Sequence, residues 1–146
     1  MVRIRKLDLG LVAGLALVAC SAQGDTALAD AQQVCTSLGY ESGTLGSSSE
    51  SSGGDIYTWD ADKWAKAADA SNDVANQAAR AARGDRRWDK LSNAVTDFQR
   101  LIELAARARD ESLPQADRDD AQAQIDQTGP QEVVRSIRQE CRKAQA

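Results

Sequence analysis

Trp88, Leu91, Val95, Phe98, Ile102 and Ala105 recur at spacings of three and four, and Leu101 and Leu104 widen the row. That spacing places them along one side of an α-helix as a heptad-like seam. A seam of this width is stable only when other elements cover it. No stretch of the chain alternates apolar and polar residues in the manner of a half-buried strand, so the covering elements are expected to be helices. The expectation is an all-α protein, a small alanine-rich helical bundle or a helical hairpin with extra helices.

The preceding segment supplies one partner. Asp60 is placed to cap a helix, with Trp59 before it and Trp64 at its fourth position forming a hydrophobic staple. Trp64, Ala67, Ser71, Val74, Ala78 and Ala81 then follow at helical spacing, with Trp64 as the expected anchor. Most of this stripe is alanine, so a neighbour approaches closely while each contact buries little area. Arg83-Gly84-Asp85 interrupts the pattern. One reading makes Gly84 a left-handed residue after the helix and Asp85 the cap of the next, giving a tight antiparallel hairpin. The other runs a single helix through Gly84 at a cost of about 1 kcal/mol. The tripeptide also matches an integrin-binding motif, but a helix junction accounts for it.

Further along, Ser112-Leu113-Pro114 ends the seam helix and starts another over 115–127, where Ile125 is the one large apolar residue. That helix is expected to face solvent. Thr128-Gly129-Pro130 breaks it, and a last helix over 130–143 carries Glu132 in its first turn and Arg142 and Lys143 in its last. This polarity suits the helix dipole. Val134, Ile137 and Cys141 share one face of it. Before all of these, residues 26–38 read as a helix capped by Asp25 and closed by a left-handed Gly39, with Leu28, Ala31, Cys35 and Leu38 on its stripe. Residues 41–55, rich in Ser and Gly with a single Leu, read as a flexible loop inside one helical domain spanning 25–146.

The N-terminus is basic at Arg3, Arg5 and Lys6, apolar over 9–19, and polar after Cys20. That order marks a secretory signal helix over 1–19. Eleven helical residues span about 17 Å, too short for a hydrocarbon core of about 30 Å. Leu17-Val18-Ala19-Cys20 resembles the lipobox of bacterial lipoproteins. The resemblance implies that Cys20 receives diacylglycerol and becomes the mature N-terminus, with 20–24 as the lipid-anchored segment on the extracytoplasmic face of the cell membrane. The alternative is a secreted protein cut after Ala27-Leu28-Ala29, which offers an A-x-A site.

Either route leaves Cys35 and Cys141 as a pair in an oxidising compartment, where a disulfide is expected; two buried free thiols are the alternative. Residues 1–19 hold Arg3, Arg5, Lys6 and Asp8, a net of +2, so the chain's charge of -4 becomes -6 over 20–146. An acidic protein lacks the basic footprint of a general nucleic-acid binder.

Chemistry is sparse. The chain has no His and no glycine-rich phosphate loop, so the usual nucleophile and acid-base sets are missing, and no metal or cofactor is expected. Asp117, Asp119 and Asp120 lack the glycine and terminal Glu of an EF-hand loop. The local anomaly is basic: Arg80, Arg83, Arg86, Arg87 and Lys90 crowd the Gly84 junction, with Asp85 and Asp89 among them. Such a cluster would hold an anionic envelope polymer or a partner's acidic patch, or else form exposed ion pairs contributing about 0 to 1 kcal/mol each. With the second helix starting beside the disulfide, its 24 or so residues would carry this cluster about 36 Å away to a membrane-distal tip. The functional expectation is a lipid-anchored, non-enzymatic binding or scaffolding module of the cell envelope. A small carboxylate-based envelope hydrolase, or a regulator of one, is the alternative.

Overall fold

The computed structural model describes residues 16–40 and 59–146. They form α1 (Ala16–Ser37), α2 (Ala61–Gly84), α3 (Asp89–Arg109), α4 (Gln115–Thr128) and α5 (Pro130–Ala144), with a 3-10 turn, Arg86–Trp88, between α2 and α3. No strand occurs among the described residues. The all-α helical bundle is as expected, while most of the signal segment and the expected loop at 41–55 lie outside the described residues.

Local chemistry sets most of the boundaries. Asp60 is extended and its carboxylate accepts from the Lys63 N–H at 2.8 Å, while the Trp59 and Trp64 rings meet at 5.0 Å to complete the staple. At the end of α1, Gly39 sits at φ 75°, Tyr40 N–H donates to Cys35 and Gly39 N–H to Thr36. Those are the two bonds of a Schellman ending. Gly129, at φ 68°, closes α4 and opens α5, where Glu132 and Val133 N–H groups both reach its carbonyl.

Two boundaries depart from expectation. α1 runs through residues 20–26 without a break, so Asp25 caps nothing. The segment holds no proline, and the single Gly24 costs only about 1 kcal/mol in a helix interior. The junction after α2 breaks at Asp85 instead of at a left-handed Gly84. Gly84 is the last residue of α2, and Gly39 and Gly129 are the positive-φ glycines among the described residues. Asp85 is extended (φ -152°, ψ 116°); its N–H returns to Ala81 at 2.9 Å and its carboxylate accepts from Arg87 N–H at 2.9 Å. One short acidic residue thus ends α2 and caps the 3-10 turn, which excludes a continuous helix.

The core departs in detail. Trp88, only 2% exposed, is the buried tryptophan, whereas Trp64 is half-buried beside Trp59 and does not anchor α2. On α3 the buried set is Leu91, Ala94, Val95, Leu101, Leu104 and Ala105, with Phe98 and Ile102 partly exposed. Leu101 and Ile102 stand about 100° apart around the helix, and the helices packed against α3 cover the side that carries Leu101. On α5, Val133 takes the core position given above to Val134, alongside Ile137, Cys141 and Ala144. On α1, Ala27 and Val34 join Ala31 and Cys35 in the core, with Leu28 and Leu38 packed at its edge. α4 buries only Ala121 fully, as its polar sequence requires.

Cross-helix contacts set the directions. Gln99 donates to Asn72, and the Arg109 guanidinium lies 5.4 Å from the Trp64 ring centre, so α2 and α3 form an antiparallel hairpin. α4 returns along α3, with Arg100 donating to Gln124 at 3.3 Å, which leaves Thr128 beside the middle of α3. α5 begins there. Its apolar face shares one cluster with Trp88, Leu91, Ala94 and Val95, a cluster that Leu104 and Ala105 do not join, so α5 runs toward the α2–α3 turn. α1 runs opposite to α5: Cys35 and Cys141 form a disulfide (S–S 2.05 Å, Cα–Cα 5.5 Å), and Gln32 donates to the Ala144 carbonyl at 2.9 Å. α1 is therefore antiparallel to α2, with its N-terminal end directed toward the arginine-rich turn.

Candidate anionic-ligand site

The turn exists because Asp85 stops α2 while Trp88, three residues later, is drawn into the core. Between these two fixed points Arg86 and Arg87 have nowhere to go but outward. Their neighbours on α2 and α3, Arg80, Arg83 and Lys90, fall on the exposed sides of their helices. The structure thus brings all five cations to one end of the hairpin.

Their environments differ. Arg87 Nε pairs with Asp85 at 2.8 Å, and its guanidinium carbon lies 4.9 Å from the centre of the Trp88 ring. This arginine is held by the fold: it closes over the one large aromatic of the core and braces the cap. Arg80 reaches Asp30 of α1 at 3.9 Å, and the same carboxylate accepts from Gln77 at 3.3 Å. Gln77, with the half-exposed Arg80 beside it, thereby links α2 to α1. Arg86, 94% exposed, meets Asp89 only at 3.8 Å, and at that exposure the pair contributes little. Arg83 and Lys90 are exposed and make no ion pair among the described residues. The five therefore divide into two structural cations, Arg80 and Arg87, and three that project for an external anion.

The placement of this turn corrects one sequence expectation. Asp30 lies five residues, about 7.5 Å of helix, from Cys35, so a turn tied to Asp30 through Arg80 is no distant tip relative to the disulfide. The reason is topological: α1 lies antiparallel to α2 and packs against its C-terminal half, where Ala78 and Ala81 allow close approach.

Other polar features went unremarked in the sequence. Glu140 is 4% exposed; its Oε1 accepts from Lys143 at 2.7 Å, while Oε2 is buried without a hydrogen-bond partner among the described residues, as is Trp88 Nε1. A shallow groove along α5 is lined by Val134, Arg135, Arg138 and Arg142, with Arg135 paired to Glu132 at 2.7 Å. The three-and-four spacing of these arginines was the available signal. At the other end of the hairpin, Trp59, Asp62, Arg109 and Glu111 line a second open groove. Asp110 beside it has its carboxyl held below the usual value, chiefly by the Ser112 hydroxyl and then by the Ser112 N–H.

Asp117, Asp119 and Asp120 are exposed on α4, where Gln115 donates to Asp119 and Gln124 to Asp120. Among the described residues no group of three or more Cys, Asp or Glu side chains gathers to hold a metal, and no helix is long and apolar enough to cross a membrane. Cys20 lies on the N-terminal part of α1. No protein-family model, curated protein or solved structure matches this chain.

Proposed function

We propose that this protein is an exported bacterial lipoprotein, anchored through diacylglycerol on Cys20, whose helical bundle is a non-enzymatic binding module of the cell envelope. The observation that carries the reading is Leu17-Val18-Ala19-Cys20, which follows a basic start and an apolar run of signal-peptide length. Two structural features support it. Cys35 and Cys141 are paired, as suits an oxidising compartment. Cleavage before Cys20 also spares the core, whereas cleavage after Ala29 would remove Ala27, which is 2% exposed, together with Leu28, which packs at the core's edge. Binding is assigned to the arginine-rich turn, through Arg83, Arg86 and Lys90.

The test is a mass measurement of the N-terminal peptide from the membrane fraction. The expected species begins at Cys20 and carries diacylglycerol, and Cys20→Ala blocks its processing or releases the protein from membranes. An N-terminus at Asp30 overturns the reading.

A further inference from the structure

We propose that the arginine-rich turn docks on the headgroups of anionic phospholipids in the same membrane that holds the anchor, giving the bundle a second, electrostatic attachment. The proposal rests on lipid attachment at Cys20 and takes its geometry from the register of α1 against α2. Asp30 faces Arg80. Cys20 precedes Asp30 by ten residues, about 15 Å of helix, while Gly84 follows Arg80 by four, about 6 Å. Because the two helices are antiparallel, the backbone at Cys20 extends about 9 Å beyond the end of α2, on the side of the turn. With acyl chains at Cys20 buried in the bilayer, the part of the hairpin nearest the headgroups is the segment carrying Arg83, Arg86 and Lys90.

Charge decides what that segment meets. The pairs Arg80–Asp30 and Arg87–Asp85 are neutral. Arg83, Arg86 and Lys90 then face Asp89, and α1 brings the exposed Asp25 to the same end, leaving an excess of one to two positive charges. Beside an anionic leaflet each uncompensated cation favours the docked state about fivefold, so the excess favours docking about five- to twenty-five-fold. Lipid is favoured over a soluble anionic polymer because the tether itself supplies headgroups at high effective concentration, whereas a polymer must enter from solution. An acyl anchor combined with a basic patch is also a stronger attachment than either alone.

The test uses the mature lipidated protein with a fluorescent label on Asn93→Cys, an exposed position one helical turn from Asp89, and a control label on Gln115→Cys, exposed at the start of α4 at the opposite end of the hairpin. Each is placed in vesicles of phosphatidylcholine, or of phosphatidylcholine with phosphatidylglycerol, that carry a headgroup quencher. The position-93 label is expected to be quenched more strongly on the anionic vesicles, by five- to twenty-five-fold in the ratio of docked to undocked protein. High salt, or Arg83→Ser with Arg86→Ser and Lys90→Ser, removes the difference, and the position-115 label does not report it. Equal quenching of the position-93 label on both vesicles overturns docking. So does quenching that differs equally at both positions, or a response of the turn only to added soluble polyglycerol phosphate. Flotation with phosphatidylcholine vesicles reads the anchor separately. Protein that fails to float refutes attachment at Cys20 and docking with it, whereas floating protein with equal quenching refutes docking alone.

Discussion

Replacing both half-cystines, Cys35→Ala with Cys141→Ala, tests how the bundle is held together. The two cysteines are 106 residues apart, and both are fully buried in the main cluster. In the chain-entropy description, opening a loop of that length returns about 16 cal/mol/K to the unfolded chain, or about 4.8 kcal/mol at 25 °C. Loss of two buried sulfur atoms adds a packing cost on the order of 1 kcal/mol. A domain of this size loses roughly 3 to 5 °C of melting temperature per kcal/mol, so the variant is expected to melt about 17 to 29 °C below the oxidised wild type. Thermal and urea unfolding of the soluble domain, followed by circular dichroism, measure this. The urea dependence should also steepen, because an uncrosslinked unfolded chain exposes more surface. The size of the effect follows from the place of the bond: α1 is joined to the hairpin mainly through alanines, which bury little area each, so the covalent link carries much of its attachment. A shift under about 5 °C, or two titratable thiols in the oxidised wild type, would refute this account.

Ile137, fully buried at the centre of the α5 face, should cost about 2 to 5 kcal/mol when replaced by Ala, whereas Val134→Ala on the same helix costs visibly less; paired urea titrations decide. Asp85→Ala removes the acceptor for Arg87 N–H and the Arg87 ion pair together, and is expected to destabilise by about 1 to 2 kcal/mol, while Arg83→Ala leaves unfolding nearly unchanged. Asp110 titrates below its usual 3.8 because Ser112 donates two hydrogen bonds to its charged form. The stabilisation this gives is complete above the unfolded value and is lost as pH falls through the lower folded value. Ser112→Ala should bring the Asp110 carboxyl back toward 3.8 in an NMR titration, and no upward movement would refute the assignment.

Much of this architecture is written in short-range signals. Asp60 and Trp59, Gly39, Pro114 and the Gly129-Pro130 pair each act through partners within about five residues, so the ends they specify appear wherever the chain folds. The helical periods and the spare pair of cysteines likewise needed no tertiary information to imply a stapled bundle. The candidate cations were also readable, since a basic run in an acidic chain stands out by composition alone.

What neighbours decide was less readable. Ile102 or Leu101, and Val133 or Val134, differ by one position on a helix, about 100° of rotation, and only the helices packed against α3 and α5 select between them. Gly84 and Asp85 are both competent to end a helix. Asp85 ends the helix, extended and capping the 3-10 turn that leads to the buried Trp88, while Gly84 stays helical. The division of the five cations into two that brace the fold and three that project depends on Asp30, some fifty residues away in sequence, and on the alanines of α2 that let α1 come close. Small side chains permit an approach without specifying its direction, so the sequence determined the helices and the staple, while the packing of α1 against α2 decided which end of the molecule carries the exposed charge.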